Sequence, residues 1–160
     1  MNVSTERLIV RPFVPEDLSD LHEILGDAET MRYSETPFDL AKTEAFLRDF
    51  CISRGRALAA VEKTSGKVIG YILFSQLDDG VFEAGWFINR AFWRLGYAYE
   101  AMSSVFKQAF SDGALKIIAE TADPVKSVGL MKKLGMRPCG EEDGLLVYEL
   151  RREDCLKISI

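Results

Sequence analysis

Hydrophobic residues occur along this chain in two patterns, as short apolar runs of strand length and at a spacing near 3.6 residues that is typical of amphipathic helices. Short apolar segments of strand length lie at 7–11, 57–62, 67–74, 81–88, 115–121, 136–140 and 145–150. Apolar residues at helical spacing lie within 15–26, 39–54, 98–111 and 124–135. The pattern predicts the order βααβββαβαββ, an α/β chain of the α+β type with a central sheet and helices on its faces.

Residues at the predicted helix ends support these boundaries. Asp39 and Asp123 each precede a helical segment, where a short acidic side chain accepts hydrogen bonds from the first unpaired N–H groups. Pro15 and Pro124 suit the first position of a helix, because that position needs no N–H donor. Gly26 is a stop signal for the first helix.

The junction of a predicted strand and helix at 92–101 is a candidate anion-binding site. Its Gly96 can adopt backbone angles closed to other residues and lets a ligand approach the main chain. The helix that follows begins with unpaired N–H groups and the positive end of its dipole, which favour a phosphate group. The junction is neither a Walker A loop nor a G-x-G-x-x-G turn, because Gly96 stands alone. On spacing alone, a structural turn is the simpler interpretation and a phosphate site is the alternative.

Four segments of the chain, in the same order, resemble the GNAT superfamily of N-acetyltransferases and its ribosomal-protein N-terminal acetyltransferase-like branch. The junction is similar to the family's pyrophosphate loop, Gln/Arg-x-x-Gly-x-Gly/Ala, with Trp93, Gly96 and Ala98 at the marked positions. Trp93 departs from the usual Gln/Arg but is similar to this branch. Residues 5–13 resemble the opening strand of this branch, residues 83–86 resemble its Glu-x-Gly-Tyr/Trp strand, and residues 127–136 resemble part of its late helix.

This resemblance implies the GNAT fold, a mixed and mostly antiparallel sheet with helices on both faces, in a single domain spanning 1–160. It also implies acetyl-CoA as co-substrate and no metal. Because the family holds its cofactor mainly through main-chain groups, the resemblance places these residues at the pyrophosphate: Arg94, Leu95, Gly96, Tyr97 and Ala98. It places Trp86, Phe87 and Ile88 along the pantetheine arm, where strand N–H groups polarise the thioester carbonyl. Trp93 is expected at the cofactor's edge.

Glu83 is the first catalytic candidate. It is a carboxylate between Phe82 and Ala84 in an otherwise apolar strand, where burial disfavours the charged form and makes the group a better proton acceptor. It also matches the strand position that serves as general base, directly or through water, in several GNAT enzymes. The alternatives are a solvent-facing carboxylate or one paired with an arginine, which the strand alternation leaves open.

Ser127 is the second candidate, since it matches the serine that this branch places near the CoA sulfur and the leaving thiolate. The alternative is a serine that caps its own helix. Two positions depart from the family pattern. Met131 stands where many members have a Tyr that protonates the thiolate, and Pro124 stands where an Asn usually holds the cofactor. Asp123 and Lys126 are the candidates to compensate for that Asn.

Other side chains are weaker candidates. His22, the single histidine, lies beside an apolar helical stripe and is expected to be a surface or packing residue rather than a base. The connection 27–38 usually forms a wall of the acceptor site in this fold. Its three acids against one arginine suit a cationic amine or a peptide N-terminus, and a solvated polar loop is the alternative. Tyr33 and Phe38 either line a pocket there or anchor the loop.

Composition sets further bounds. A chain of 160 residues is long enough for one domain with a proper core. It contains neither a signal-peptide pattern nor an apolar run long enough to predict a membrane span. A net charge of −5 argues against nucleic acid as a partner. Cys51, Cys139 and Cys155 predict neither a disulfide framework nor a metal site, which favours a reducing cytoplasm.

The sequence therefore predicts a cytoplasmic N-acetyltransferase that transfers an acetyl group from acetyl-CoA to a primary amine by direct attack in a ternary complex. The acceptor is either a protein N-terminus or a small-molecule amine. Two alternatives use the same fold: a non-catalytic acyl-CoA-binding or sensory module, and an interaction domain without cofactor. Homodimers are common in the family, but the sequence shows no interface.

Overall fold

An eight-stranded sheet runs through the centre of the structure, in the order β1-β2-β3-β4-β5-β6-β8-β7. The computed structural model describes residues 1–158 and the side chains of residues 1–155, so the predicted domain range of 1–160 extends beyond the described residues. The strands are β1 (Val3–Ser4), β2 (Leu8–Pro12), β3 (Ala57–Glu62), β4 (Val68–Asp78), β5 (Val81–Ile88), β6 (Lys116–Thr121), β7 (Arg137–Glu142) and β8 (Leu145–Arg151). Strands β5 and β6 pair in parallel, and the other pairs are antiparallel.

Five α-helices and several short irregular turns connect the strands in the described chain. The helices are α1 (Leu18–Leu25), α2 (Leu40–Phe46), α3 (Tyr97–Ser111), α4 (Lys126–Lys133) and α5 (Arg152–Ile158). A 3₁₀ turn at Pro15–Asp17 leads into α1, and α2 continues as a π-helical turn over Leu47–Ser53. No helix among residues 1–158 combines the length and the apolar character that a membrane crossing requires.

The predicted order of strands and helices is confirmed, with differences at the ends. Strand β1 has only two residues, which is too short to show as a period, and α5 follows the strand predicted to close the chain. Helix α4 begins at Lys126, so the prediction that Pro124 is its first residue is wrong. The Asp123 carboxylate accepts from the N–H groups of Val125 and Lys126, at 2.9 and 3.1 Å, and Pro124 lies inside this capping turn.

Helices cover the two faces of the sheet unequally. On one face, α3 and α4 pack across the central strands, with fully buried contacts through Leu8, Ile72, Met102, Ile117 and Met131. On the other face, α1 and α2 pack mainly over β3 and β4, through Leu21, Ile24, Leu47, Ala59 and Tyr71. The β5–β8 half of this second face is left more open, and it carries the site described below.

Candidate active site

A gap opens between the two parallel strands at the centre of the sheet. Strand β5 pairs with β6 only over 81–84 and 116–119. Beyond Ala84, β5 stays with β4 as far as Ile88, whereas β6 stays with β8 as far as Thr121. The strands therefore diverge, and one side of β5 is left without a strand partner over 85–88. A strand side of this kind offers backbone hydrogen bonds to an extended ligand.

A groove of about 1510 Å³ passes through this gap. With one exception, every residue predicted at the site lines it: Glu83, Trp86, Phe87, Ile88, Trp93, Arg94, Gly96, Tyr97, Ala98 and Ser127. The exception is Leu95, whose side chain is 53% exposed and whose carbonyl oxygen accepts a hydrogen bond from Arg7 at 2.9 Å. His22 lies on α1 outside the groove lining.

The loop before α3 has the backbone that its glycine predicts. Gly96 has a φ of +83° and is the N-cap of α3, so the first N–H groups of this helix have no capping side chain in front of them. Arg94 also has a positive φ, +64°, which is unusual for a non-glycine residue and marks a tight turn. The Trp93 Nε1–H donates to the carbonyl oxygen of Ile88 at 2.7 Å. One acceptor of the strand predicted to meet pantetheine is therefore used within the protein.

A cluster of charges holds this loop from behind. The Arg7 guanidinium pairs with Glu100 at 2.7 Å, lies 4.1 Å from the ring centre of Tyr97, and donates to the Leu95 carbonyl. Burial opposes ionisation of Glu100, but hydrogen bonds from Thr5 and from Arg7 outweigh it and lower the pKa of this carboxyl. Glu100 lies in the first turn of α3, where a carboxylate also interacts favourably with the helix dipole. The long-range ion pair had no local signal.

The start of α4 faces the same loop. Since Asp123 caps this helix, the alternative that Ser127 is its cap is wrong. Among the described residues the Ser127 hydroxyl has no hydrogen-bond partner, and it lines the groove. Met131 is buried in the core with 1% exposure and has no proton to donate. Lys126 lies with Nζ 4.2 Å from the Trp93 ring centre, beside the loop.

Carboxylates gather on the open half of the second face. Glu83 is half-buried and lines the groove, so the expectation of full burial is only partly met. Within residues 1–155 no ion pair to Glu83 is present, which removes the arginine-paired alternative. Its neighbour Glu120 on β6 also lines the groove. Burial raises the pKa of Glu120, and the nearby carboxylates of Glu142, Glu83 and Asp143 raise it further.

Aromatic rings form the wall opposite these carboxylates. Phe46 contacts three rings, with centroid distances of 5.4 Å to Phe38, 4.9 Å to Phe50 and 5.7 Å to Tyr71, and Tyr71 lies 6.0 Å from Phe87. All five line the groove. The sequence did not identify this wall, because its members come from the connection before α2, from α2, from the π-helical turn and from two strands, and they meet only in the fold.

The connection 27–38 closes one end of the groove. Phe38 and Met31 are buried, with 6% and 3% exposure, and anchor the connection. Tyr33 is 48% exposed and lines the groove, whereas Phe38 both anchors the connection and lines the groove. Glu29 and Glu35 line the groove as well, but they pair with Arg32 at 3.6 Å and with Lys42 at 3.0 Å, so their charges are largely balanced.

A family model described as "Acetyltransferase (GNAT) domain" matches residues 7–137. The chain belongs to this family. It is a GNAT N-acetyltransferase, a transferase of a class that uses acetyl-CoA and an amine acceptor, so the predicted superfamily and enzyme class are confirmed.

Similar proteins match most of the chain. The uncharacterized N-acetyltransferase YnaD of Bacillus subtilis (strain 168) is 28% identical over 141 residues, which cover 86% of this chain and 83% of YnaD. The crystal structure of a GNAT-family acetyltransferase from Bacillus anthracis has a TM-score of 0.85 at 25% identity, covering 96% of this chain and 99% of that one. The aminoglycoside acetyltransferase AAC(6')-Ib, solved with coenzyme A, shares the fold with a TM-score of 0.81 at 16% identity, over 96% of this chain and 99% of that one. The predicted GNAT fold is confirmed.

Proposed function

We propose that the groove binds acetyl-CoA at the start of α3 and a primary amine beside Glu83, and that the amine attacks the thioester directly in a ternary complex. One observation carries this proposal: the gap after Ala84, the start of α3 at Gly96, and Glu83 meet in one groove. A pyrophosphate, an extended thiol arm and an amine need these three features in this order. The membership of the chain in the GNAT family supports the same assignment.

The main chain supplies most of the cofactor grip in this proposal. N–H groups from Arg94 to Ala98 meet the pyrophosphate, because an uncapped helix start and a left-handed turn both present N–H groups to an anion. The unpaired side of β5 at Trp86 bonds the pantetheine amides. Lys126 lies beside the loop and adds the positive charge that compensates for Pro124 in place of the family's Asn.

The chemistry needs a base, a donor to the developing oxyanion and a partner for the thiolate. Glu83 accepts a proton from the ammonium group of the acceptor, directly or through water, and the neutral amine then attacks, since Glu83 is the unpaired carboxylate on β5. N–H groups of β5 polarise the thioester carbonyl. The Ser127 hydroxyl, which is free of protein partners in the described residues, donates to the departing sulfur. Met131 takes no part in proton transfer.

The end of the groove beside Glu83, which we call the acceptor half, suits a cationic amine, since Glu83 and Glu120 line it and neither has an ion pair among the described residues. The sequence resemblance to the ribosomal-protein N-terminal acetyltransferase-like branch supports a protein N-terminal amine within this class. We also propose that residues 1–160 act as one catalytic domain in the cytoplasm. The free thiols of Cys51 and Cys139 are compatible with a reducing compartment.

Calorimetric titration with acetyl-CoA, followed by turnover assays on a panel of amines, tests the proposal. We expect micromolar binding, and a loss of kcat of roughly 100-fold or more in Glu83→Gln with acetyl-CoA binding unchanged, because general base catalysis contributes about 10²–10⁴-fold. The matched control is Glu149→Gln, since Glu149 is a strand carboxylate paired to Arg151 at 3.1 Å and lies outside the groove lining.

Each outcome separates the alternatives. Binding without turnover in the wild-type protein on any amine favours the acyl-CoA-binding module. Absence of binding at millimolar acetyl-CoA removes the cofactor site, and with it the enzymatic assignment. Equal losses in Glu83→Gln and Glu149→Gln reject Glu83 as the base.

A further inference from the structure

Tyr71 is a buried residue whose hydroxyl has no protein partner among the described residues. The residue lies on β4, is only 6% exposed, and lines the groove. Among the described residues no hydrogen bond reaches its hydroxyl. In the described chain, every side-chain oxygen or nitrogen that is fully buried has a hydrogen-bond partner. The Tyr71 hydroxyl has none, so it must be accessible, and it opens into the groove that the residue lines. Because the residue as a whole is only 6% exposed, its hydroxyl has limited access to water, and a ligand in the groove is placed to supply its hydrogen-bond partner.

The surroundings of Tyr71 determine what its hydroxyl does. Burial raises the pKa of Tyr71, and the neighbouring Cys51, Glu83 and Glu35 raise it further. The phenol therefore keeps its proton at neutral pH and needs an acceptor for it. The ring contacts Phe46 and Phe87, at centroid distances of 5.7 and 6.0 Å. A ligand that reaches the hydroxyl must pass this apolar wall.

Strand register places Tyr71 across the acceptor site from Glu83. Tyr71 is directly opposite Phe87, and Leu73 is opposite Gly85. Residues two apart on a strand share one face, so Phe87, Gly85 and Glu83 form a row beside Tyr71. Gly85 has no side chain, which leaves the floor of the site open between the carboxylate and the rings. An amine above Gly85 has Glu83 on one side and Tyr71 on the other.

We propose that Tyr71 is a specificity-determining residue: its hydroxyl donates to an oxygen atom next to the reactive nitrogen of the acceptor, while Phe46 and Phe87 hold an apolar side chain of the same molecule. The substrate class is an α-amino amide with a large apolar side chain, as at the N-terminus of a peptide that begins with such a residue. This inference rests on the proposed function, since it assumes that the amine lies beside Glu83.

Three acceptors test the hydrogen bond from Tyr71 separately from the apolar contact. They are phenylalanine amide, alanine amide, and 2-phenylethylamine, which has the ring and the amine but no carbonyl oxygen. We expect Tyr71→Phe to lower kcat/KM for phenylalanine amide about tenfold, mainly through KM, and to leave 2-phenylethylamine unchanged. The ratio of kcat/KM between the wild-type protein and Tyr71→Phe is taken for each acceptor, so differences in the intrinsic reactivity of the amines cancel. Phe46→Leu is expected to reduce the preference for phenylalanine amide over alanine amide.

Tyr148→Phe is the matched control, since Tyr148 is also 6% exposed but lies on β8, in the core on the opposite face of the sheet. It removes a hydroxyl from a buried tyrosine without touching the groove. Equal effects of Tyr71→Phe on phenylalanine amide and 2-phenylethylamine, or equal effects of the two tyrosine variants, overturn the inference.

A binding measurement keeps this test independent of turnover. Phenylalanine amide is titrated into the CoA-saturated wild-type protein and into CoA-saturated Tyr71→Phe, with about tenfold weaker binding expected in the variant. Equal affinity, or no binding of phenylalanine amide while CoA binds, rejects the inference and leaves the cofactor site standing. Failure of acetyl-CoA to bind instead rejects the proposed function.

Discussion

The two halves of the groove are built from different parts of the chain. We call the end of the groove where acetyl-CoA is proposed to bind the cofactor half. It consists mainly of the main chain over 93–98, a continuous segment that turns at Gly96. The acceptor half consists of side chains from α2, β4, β5 and β6, which are far apart in sequence. A main-chain cradle tolerates many side chains, whereas a wall of side chains changes with each substitution. The cofactor is therefore expected to depend on a few backbone positions, and the acceptor on individual residues.

Charge follows the same division. Arg94, Lys126 and Lys133 line the cofactor half, where phosphates are expected. Glu83 and Glu120 line the acceptor half, where an ammonium group is expected. Opposite charges at the two ends favour a fixed orientation of the two substrates before they react.

Among the substitutions that test the division of the groove into two halves, Gly96→Val is expected to have the largest effect, a loss of acetyl-CoA affinity. The φ of +83° is unfavourable for a β-branched residue, and a Cβ atom at this position would lie 3.4 Å from Nη2 of Arg7. The loop must rearrange, at a cost of roughly 2 kcal/mol, or about 30-fold in affinity. Calorimetry is expected to show acetyl-CoA binding weakened by at least that factor.

Gly66→Val controls for backbone strain in general. Gly66 has a similar φ of +72° in the turn between β3 and β4, and a Cβ atom there would have no neighbour within 4 Å. Both variants are expected to lose thermal stability, but Gly66→Val keeps its acetyl-CoA affinity. Equal loss of affinity in the two variants contradicts a cofactor role for the Gly96 turn.

Gly85→Val tests the acceptor half with an intermediate effect. A Cβ atom at Gly85 would lie 3.5 Å from Cβ of Leu73, an ordinary van der Waals contact, so the protein is expected to fold. The added side chain occupies the floor of the acceptor site. We expect KM for the amine to rise about tenfold, as overpacking of a closed site typically costs on the order of 1–2 kcal/mol, with acetyl-CoA affinity nearly unchanged. A parallel loss of acetyl-CoA binding contradicts the division of the groove into two halves.

Local signals in the sequence were sufficient for the strand and helix order. Short apolar runs predict β3 and β5, and the prediction of Asp39 as the N-cap of α2 is confirmed, since its carboxylate accepts from the N–H of Lys42 at 2.7 Å. Features without a local period were missed. Strand β1 is too short to have one, and the π-helical turn at Leu47–Ser53 differs from an α-helix only in its hydrogen bonding.

The loop that we propose for the cofactor could be singled out from the sequence because its determinants are neighbours in the chain. Gly96 and the start of α3 are adjacent, so the single sequence motif at 93–98 indicates both. The acceptor half was largely inaccessible, because Phe46, Tyr71 and Phe87 come together only when α2 packs on β4 and β4 pairs with β5. Glu83 was identified through its unusual polarity within an apolar strand, but the strand alternation did not decide which way it faced.

The smallest effect is expected from Arg7→Met, which tests how the main-chain cradle is held. Methionine keeps packing against Tyr97 but loses the ion pair with Glu100 and the hydrogen bond to the Leu95 carbonyl. The loop then has to be ordered by the cofactor itself, at a cost on the order of 1 kcal/mol. We expect acetyl-CoA to bind about fivefold more weakly, with KM for the amine unchanged.

Arg11→Met distinguishes this role from general stability. Arg11 lies on β2, four residues after Arg7, and pairs with Asp17 at 2.8 Å, but it does not contact the loop. The Asp17 side chain is 7% exposed against 18% for Glu100, so its unpaired charge is at least as costly to the fold. Both variants therefore lower the melting temperature, and only Arg7→Met weakens acetyl-CoA binding. If affinity falls equally in the two variants, the cradle depends on overall stability rather than on Arg7. In that case the cofactor half is held by the fold as a whole, as the acceptor half is.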